Sequence, residues 1–241
     1  MKKYITYITA ALLAAALALG PMTTTAYADE GDGQSETETQ AETELKAVIL
    51  PTDEVSTEDI VLFSTSCCVM DADSGQILYY KNMNKKLYPA SITKVLSGLL
   101  LIENAASLKD KIEYSDDDWA GIDLWEDMNI GMLPGEKLSV EATLHAMLLS
   151  SANEVCNGAA RYVAGSVEAF AEMMNERARE LGCTNSHFVN PNCLHNKNHY
   201  TTAHDMALIS RAAINNETFA TITGSTNYTV KKTNKRKEGF E

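Results

Sequence analysis

The sequence predicts an α/β or α+β domain, because strand-like segments at its start are followed by a block of helices and then by renewed strand character. Residues 67–80 are typical of a β-hairpin, since two apolar stretches flank an Asp-Ser-Gly turn at 73–75. Apolar residues recur at helical spacing from residue 92 onwards. Near the end, residues 227–230 again favour a strand.

Two segments precede this predicted domain. Residues 1–28 combine two lysines, an apolar run and an Ala-Tyr-Ala ending, which is typical of a secretory signal peptide. The run is short for a membrane span, so we expect cleavage after Ala28 rather than a retained N-terminal anchor. Residues 29–62 are acidic and contain no aromatic residue, so we expect disorder. The domain is then predicted at 63–241, outside the cytoplasm.

Charge and cysteine content exclude some classes of protein. From residue 60 onwards, 22 acidic residues face 17 basic ones, and this balance gives no reason to expect nucleic acid as a partner. The five cysteines are odd in number, and we expect mostly free, packed thiols rather than a disulfide framework. Cys67 and Cys68 are adjacent on a predicted strand and point to opposite faces, so they should not pair.

The first helix follows Pro89 and is apolar on most of its surface, which predicts that it lies buried at the centre of the domain. Later helices are predicted at 140–149, 167–181 and 203–214. Each of these three is preceded by a hydroxyl residue suited to an N-cap. These residues are Ser139, Ser166 and Thr202.

Ser91 and Lys94 form the first candidate catalytic pair. A serine hydroxyl is a weak nucleophile, so hydrolysis through an acyl-enzyme needs a base within hydrogen-bond reach. Three residues along a helix, Lys94 projects from the same face as Ser91. An apolar setting disfavours the charged amine and suits it to act as that base. Ser-x-x-Lys alone is a weak pattern, but here it opens an apolar helix directly after Tyr-Pro-Ala.

Ser151 and Asn153 form the second candidate element. The sequence Ser-Ala-Asn follows the helix ending near residue 149 and precedes another helical stretch. A polar loop between buried helices often lines a cleft. The hydroxyl of Ser151 could relay a proton to a leaving amine, and the amide of Asn153 could bind a peptide carbonyl. The triplet recurs at 225–227, where it favours a turn or strand edge.

Together these motifs resemble the D-alanyl-D-alanine carboxypeptidases, serine penicillin-binding proteins of low molecular mass. Ser-x-x-Lys followed by Ser-x-Asn is the motif order of penicillin-binding proteins and serine β-lactamases. The surrounding words extend the resemblance over roughly residues 65–235. They are Met-Asp-Ala-Asp-Ser-Gly at 70–75, Tyr-Pro-Ala-Ser at 88–91, Leu-Pro-Gly-Glu at 133–136, Asn-Pro-Asn at 190–192 and the segment at 199–207.

The resemblance implies a penicillin-binding or β-lactamase-like transpeptidase fold and a mechanism. Ser91 would attack the penultimate D-alanine of a peptidoglycan stem peptide ending in D-Ala-D-Ala, and Lys94 would take its proton. Ser151 would pass a proton to the departing D-alanine, and Asn153 would position the substrate. The backbone N–H of Ser91 would form part of the oxyanion hole. β-Lactams would inhibit by acylating the same serine, and no cofactor or metal is required.

The family's third motif, Lys-Thr-Gly, does not occur in the sequence. Its usual spacing places it past Glu241, so we expect the chain to stop short of it, and a membrane-associating C-terminal segment is left open in the same way. Lys-Thr-Asn at 232–234 is rejected as a substitute, because asparagine replaces the glycine that lets substrate approach the strand. Cys193 stands where the family usually has glycine, and Cys156 is a further departure.

Alternative functions remain open at this point. A class A β-lactamase shares the first two motifs but needs a loop bearing a glutamate, and residues 183–200 contain none. A non-catalytic penicillin-binding sensor would be acylated without turnover. Cys193 and the histidines at 195, 199 and 204 could be taken for a metal site, but their spacing fits no standard zinc pattern. His145 is predicted to be a core residue, and residues 116–118 a solvated acidic loop.

Overall fold

The structure is a computed structural model that describes residues 46–47 and 62–240. The predicted signal peptide and nearly all of the predicted acidic linker lie outside the described residues. Within that linker, Lys46–Ala47 forms strand β1, which pairs with a later strand. None of the described helices combines the length and the apolar content that crossing a bilayer requires.

The described domain contains six α-helices. They are α1 (Thr93–Asn104), α2 (Val140–Leu148), α3 (Asn153–Ala164), α4 (Val167–Glu180), α5 (Ala203–Ile214) and α6 (Glu217–Thr223). A 3-10 turn, Ala90–Ile92, leads directly into α1. As predicted, α1 is central, since it contacts every one of the other five helices. Leu96, Leu99 and Leu101 on this helix are at most 1 % exposed.

The predicted N-caps are confirmed. The side chains of Ser139, Ser166 and Thr202 each accept a hydrogen bond of 3.1 Å from the backbone N–H three residues later. Thr202 does not share a full capping box with Asp205, because that carboxylate instead accepts hydrogen bonds from Asn185 N and the Ser186 hydroxyl. These two hydrogen bonds to Asp205 hold the loop before α5 against the start of that helix.

The strands form two small antiparallel sheets. Strands β2 (Cys67–Met70) and β3 (Ile77–Lys81) make the predicted hairpin, and β1 pairs with the other edge of β3. A second pair, β4 (Lys111–Glu113) with β5 (Lys137–Ser139), was not predicted. The strand predicted at 227–230 is wrong, because only Val230 forms a bridge there, to Phe240. The described strands and helices together confirm the mixed α/β class.

The acidic segment at 116–118 is solvated only in part, because Asp116 and Asp117 are exposed and Asp118 is buried. It forms a 3-10 helix, Asp116–Trp119, in which Asp118 is 2 % exposed. The carboxylate of Asp118 accepts hydrogen bonds of 3.1 Å and 2.7 Å from Nε and Nη2 of Arg161 on α3. Burial of this aspartate is tolerated because the planar guanidinium satisfies both of its oxygens.

Gly158 allows α3 to pack closely on Tyr114. A Cβ atom at this position would lie 2.7 Å from Cδ1 of Tyr114 and closer still to Cε1, and Tyr114 is only 1 % exposed. We expect Gly158→Ala to lower the free energy of unfolding by about 1–3 kcal/mol, because the ring cannot move without disturbing a filled core. The midpoint of urea unfolding measures this.

A double variant provides the control for Gly158→Ala. Tyr114→Leu loses the 2.8 Å hydrogen bond to Thr143 and part of the ring volume, so it is destabilising by itself. Because a smaller side chain leaves room for the new methyl group, the double variant should lose less stability than the sum of the two single variants. Wild-type stability in Gly158→Ala, or strictly additive losses, would contradict the packing described.

Candidate active site

Ser91 lies at the entry to α1, where the backbone is constrained. Ala90 before it has φ of +49°, and Ser151 and Cys193 near it have φ of +55° and +80°. These are three of the four non-glycine residues with left-handed φ in the described chain. Left-handed non-glycine residues cost energy and collect at functional sites. The side chain of Ser91 is exposed, whereas Thr93 and Lys94, the first two residues of α1, are buried.

Lys94 is buried beneath Ser91, at 2 % exposure. Its Nζ donates to Oδ1 of Asn153 at 2.7 Å, to the carbonyl of Asn192 at 2.8 Å and to Sγ of Cys193 at 3.3 Å. These contacts use all three donors of an ammonium group. The prediction of an apolar setting is therefore wrong at the amine itself, because the helix around Lys94 is apolar but its tip reaches polar atoms.

Ser91 and Ser151 are in direct contact. The hydroxyl of Ser151 donates to Oγ of Ser91 at 3.0 Å, across the turn between α2 and α3. Oγ of Ser91 also lies 3.5 Å from Sγ of Cys193. Among the described contacts, Sγ of Cys193 contacts both Oγ of Ser91 and Nζ of Lys94. The expected direct hydrogen bond between the hydroxyl and the amine is replaced by these two contacts to sulfur. Catalytic hydrogen bonds commonly tighten only when substrate binds.

Asn153, the first residue of α3, completes the cluster. Its backbone N–H donates to the carbonyl of Met128 at 2.8 Å, which fixes the start of the helix against the preceding loop. Because Oδ1 faces Lys94, the amide group of the side chain is oriented with its NH2 away from the amine. The structure thus brings together all four predicted site residues, Ser91, Lys94, Ser151 and Asn153.

The loop at 190–194 forms one wall of the site and was not predicted to do so. The hydroxyl of Ser97, one turn after Lys94, donates to the carbonyl of Pro191 at 2.7 Å. Nδ2 of Asn192 donates to Oδ1 of Asn157 on α3 at 3.0 Å. The loop is therefore held by α1 on one side and α3 on the other. The Asn-Pro-Asn motif at 190–192 was the sequence feature that could have predicted this wall of the site.

His199 fixes the far end of this loop. Its Nδ1 accepts from the backbone N–H of Val189 at 3.2 Å, so the neutral ring carries its proton on Nε2. Nε2 therefore donates to Oγ1 of Thr93, 2.9 Å away and between Ser91 and Lys94 in sequence. The pKa of His199 is lowered from 6.5 to about 4, mainly by burial and to a smaller extent by the nearby His187. The ring is neutral at neutral pH and holds the loop to the start of α1.

The depressed pKa of His199 predicts a pH dependence of stability. An unfolded histidine binds a proton near pH 6.5, whereas His199 in the folded protein stays neutral until about pH 4. The unfolded state therefore binds more protons in this window, and stability falls as the pH drops through it. We expect the loss to be on the order of 3 kcal/mol at most, measured by urea unfolding at several pH values.

Two glutamine variants test this assignment. His199→Gln should flatten the dependence of the unfolding free energy on pH between about 6.5 and about 4, because the titrating ring is gone. His195→Gln changes an exposed histidine of the same loop and should leave the slope as in the wild type. Equal slopes in His199→Gln and the wild type would show that another group is responsible.

The residues considered for a metal site have separate roles. His199 binds Thr93, His204 lies 3.3 Å from Asp205, and His195 packs edge-on against Tyr88. The described residues contain no group of three or more His, Cys, Asp or Glu side chains arranged to hold a metal ion. His145 is 7 % exposed and stacks on Tyr228, which confirms its assignment to the core.

The Lys-Thr-Asn segment at 232–234 packs against a turn rather than forming a strand. Oγ1 of Thr233 donates to Glu136 at 2.6 Å, and Asn234 bonds both Lys137 N and the carbonyl of Gly135. These contacts support rejecting the segment as a third catalytic motif. They also explain why this basic stretch is ordered, since its side chains satisfy the buried carboxylate of Glu136.

A serine lies at the mouth of a buried helix, a buried lysine follows one turn later, and a Ser-x-Asn turn contacts both. This is the motif arrangement of penicillin-binding proteins. The model of the Peptidase_S11 family, D-alanyl-D-alanine carboxypeptidase, matches residues 53–239. The chain therefore belongs to the D-alanyl-D-alanine carboxypeptidase family.

Curated relatives agree with this family. The chain is 33 % identical to the D-alanyl-D-alanine carboxypeptidase DacF of Bacillus subtilis, over 72 % of this chain and 44 % of the relative. It is 35 % identical to DacC of Escherichia coli, over 61 % of this chain and 38 % of the relative. The chain thus spans less than half the length of these two relatives.

Solved structures share the fold. A D-alanyl-D-alanine carboxypeptidase from Mycobacterium tuberculosis matches with a TM-score of 0.65 and 28 % identity, covering 74 % of this chain and 67 % of that one. DacD from Francisella tularensis matches with a TM-score of 0.63 and 30 % identity, covering 70 % and 42 % respectively. The penicillin-binding fold expected from the sequence is confirmed.

Proposed function

We propose that this protein is a serine-type D-alanyl-D-alanine carboxypeptidase that removes the terminal D-alanine from peptidoglycan stem peptides through an acyl-enzyme on Ser91. The observation that carries the proposal is the contact network around Ser91, in which Ser151, Cys193 and the buried Lys94 meet within hydrogen-bond distances. Membership of the family supplies the substrate class.

In the first step, Oγ of Ser91 bonds to the carbonyl carbon of the penultimate D-alanine, and its proton passes to neutral Lys94. A neutral amine has two N–H donors and one lone pair, so Lys94 must give up one of its three donor contacts before it can accept this proton. The contact to sulfur is the longest and has the weakest acceptor, so it is the one that yields. Backbone N–H groups at the entry to α1, including that of Ser91, stabilise the oxyanion.

In the second step, the C–N bond breaks and D-alanine leaves with a proton delivered through Ser151. The 3.0 Å contact between the two hydroxyls places Ser151 beside the atom that reacts. Asn153 holds Lys94 through Oδ1 and offers its NH2 group to a substrate carbonyl. Water then attacks the ester of Ser91 and releases the shortened peptide.

We also propose an extracytoplasmic location, with residues 1–28 as a cleaved signal peptide. The lysine pair, the apolar run and the Ala-Tyr-Ala ending support it. Peptidoglycan, the proposed substrate, lies outside the cytoplasm, so the location and the reaction are consistent.

A class A β-lactamase and a non-catalytic sensor are the competing functions. Both would be acylated by penicillin, but a β-lactamase would release hydrolysed penicillin rapidly, and a sensor would not release D-alanine from any peptide. The test is to incubate the protein with a synthetic peptide ending in D-Ala-D-Ala and to measure free D-alanine. The matched peptide ending in L-Ala-L-Ala should release no free L-alanine. Rapid turnover of penicillin without release of D-alanine would overturn the proposal.

A further inference from the structure

Cys193 places a thiol between the two groups that acylation needs. Its Sγ lies 3.5 Å from Oγ of Ser91 and 3.3 Å from Nζ of Lys94. The residue is half-buried and borders a cavity of about 110 Å³, whose lining includes Tyr88, Ala90 and Cys193 itself. Any substituent on this sulfur would occupy space next to Ser91 that a substrate carbonyl must enter.

The other four cysteines differ from Cys193 in their surroundings. Burial raises the pKa of Cys156 and of Cys183 to about 12 each. On strand β2, burial raises the pKa of Cys68 to about 11 and also raises that of Cys67. Thiols react as thiolates, so these four are poorly disposed to react at neutral pH. Cys193, in contrast, accepts an N–H bond from a buried lysine, which stabilises negative charge as sulfur reacts.

We propose, on the basis of the function proposed above, that Cys193 belongs to the acylation centre and makes it sensitive to thiol chemistry. Small disulfides and other thiol-selective electrophiles bond to Sγ and stop acylation of Ser91. With methyl methanethiosulfonate, the Cys193 sulfur bonds the thiomethyl sulfur, the S–S bond of the reagent breaks, and methanesulfinate leaves with the thiol proton. A dithiol reductant reverses the modification by exchange.

The experiment treats the full chain with methyl methanethiosulfonate, adds penicillin, and follows the Ser91 adduct by intact mass. We expect the acylation rate to fall by more than about tenfold and to return when dithiothreitol is added. Cys193→Ser should acylate at the same rate before and after treatment, whatever its own rate is. Cys68→Ser, which removes another half-buried thiol, should remain as sensitive as the wild type.

Two results would overturn the proposal. One is equal sensitivity of Cys193→Ser and the wild type. The other is unchanged acylation in protein whose Cys193 is shown by peptide mapping to carry the thiomethyl group.

Failure of the proposed function is recognised separately, because untreated protein would then release no D-alanine from a peptide ending in D-Ala-D-Ala. The rate at which Cys193 itself is modified tests the thiol in that case. We expect Lys94→Met to slow this modification by about tenfold, because it removes the N–H donor to sulfur. Equal rates of Cys193 modification in Lys94→Met and the wild type would contradict the role assigned to Cys193. Modification of Cys67 or Cys68 faster than that of Cys193 would contradict it as well.

Discussion

Replacing Lys94 by methionine should reduce the rate at which penicillin acylates Ser91 by about 10³-fold. Methionine has similar length and fits a buried position, but it cannot accept the serine proton. The loss is therefore expected in the rate of bond formation rather than in the initial binding of penicillin. Rapid-mixing measurements of adduct formation at several penicillin concentrations separate these two quantities.

Lys94→Arg is the matched variant. Arginine keeps the positive charge and N–H donors for Asn153 and Asn192, but it cannot be deprotonated in proteins. If Lys94 acts as a base, Lys94→Arg should be acylated nearly as slowly as Lys94→Met. Urea unfolding must first show that both variants are folded. Substantial acylation in Lys94→Arg would instead mean that the lysine acts through its charge alone.

Ser151→Ala should lower the rate of D-alanine release by about 10²-fold. The variant loses the hydroxyl that lies 3.0 Å from Oγ of Ser91, so the departing amine has no proton donor at that position. The left-handed backbone at Ser151 is equally accessible to alanine and serine, so the turn should be preserved.

The effect of Ser151→Ala should depend on the leaving group. A thioester or ester analogue of the peptide leaves without needing a proton, and its hydrolysis should suffer much less than that of the amide. Equal losses with ester and amide substrates would contradict the assignment of Ser151 as the proton donor and would favour a role in positioning Ser91.

Local sequence patterns were sufficient to predict the core of the site. Ser91 and Lys94 are three residues apart, and the 3-10 turn that holds Ser91 leads directly into α1, so helical periodicity alone places them on one face. The caps at Ser139, Ser166 and Thr202 were predictable for the same reason, because each bond spans only three residues. The place of Ser151 and Asn153 beside this pair came from the family resemblance.

Features that depend on distant packing were not predicted. The contact of Cys193 with Ser91 spans 102 residues, and that of His199 with Thr93 spans 106. Asp118 can be buried because Arg161 on α3 forms an ion pair with it. The sequence does not show which base pairs with an acidic run, so the run was predicted to be solvated. Strands β4 and β5 have three residues each, which is too short for alternation to be recognised.

The most direct test of the central claim is intact-mass analysis of the protein after incubation with penicillin, beside Ser91→Ala. We predict one covalent penicillin adduct in the wild type and none in the variant. Absence of an adduct in the wild type, or an adduct that persists in Ser91→Ala, would contradict an acyl-enzyme on Ser91.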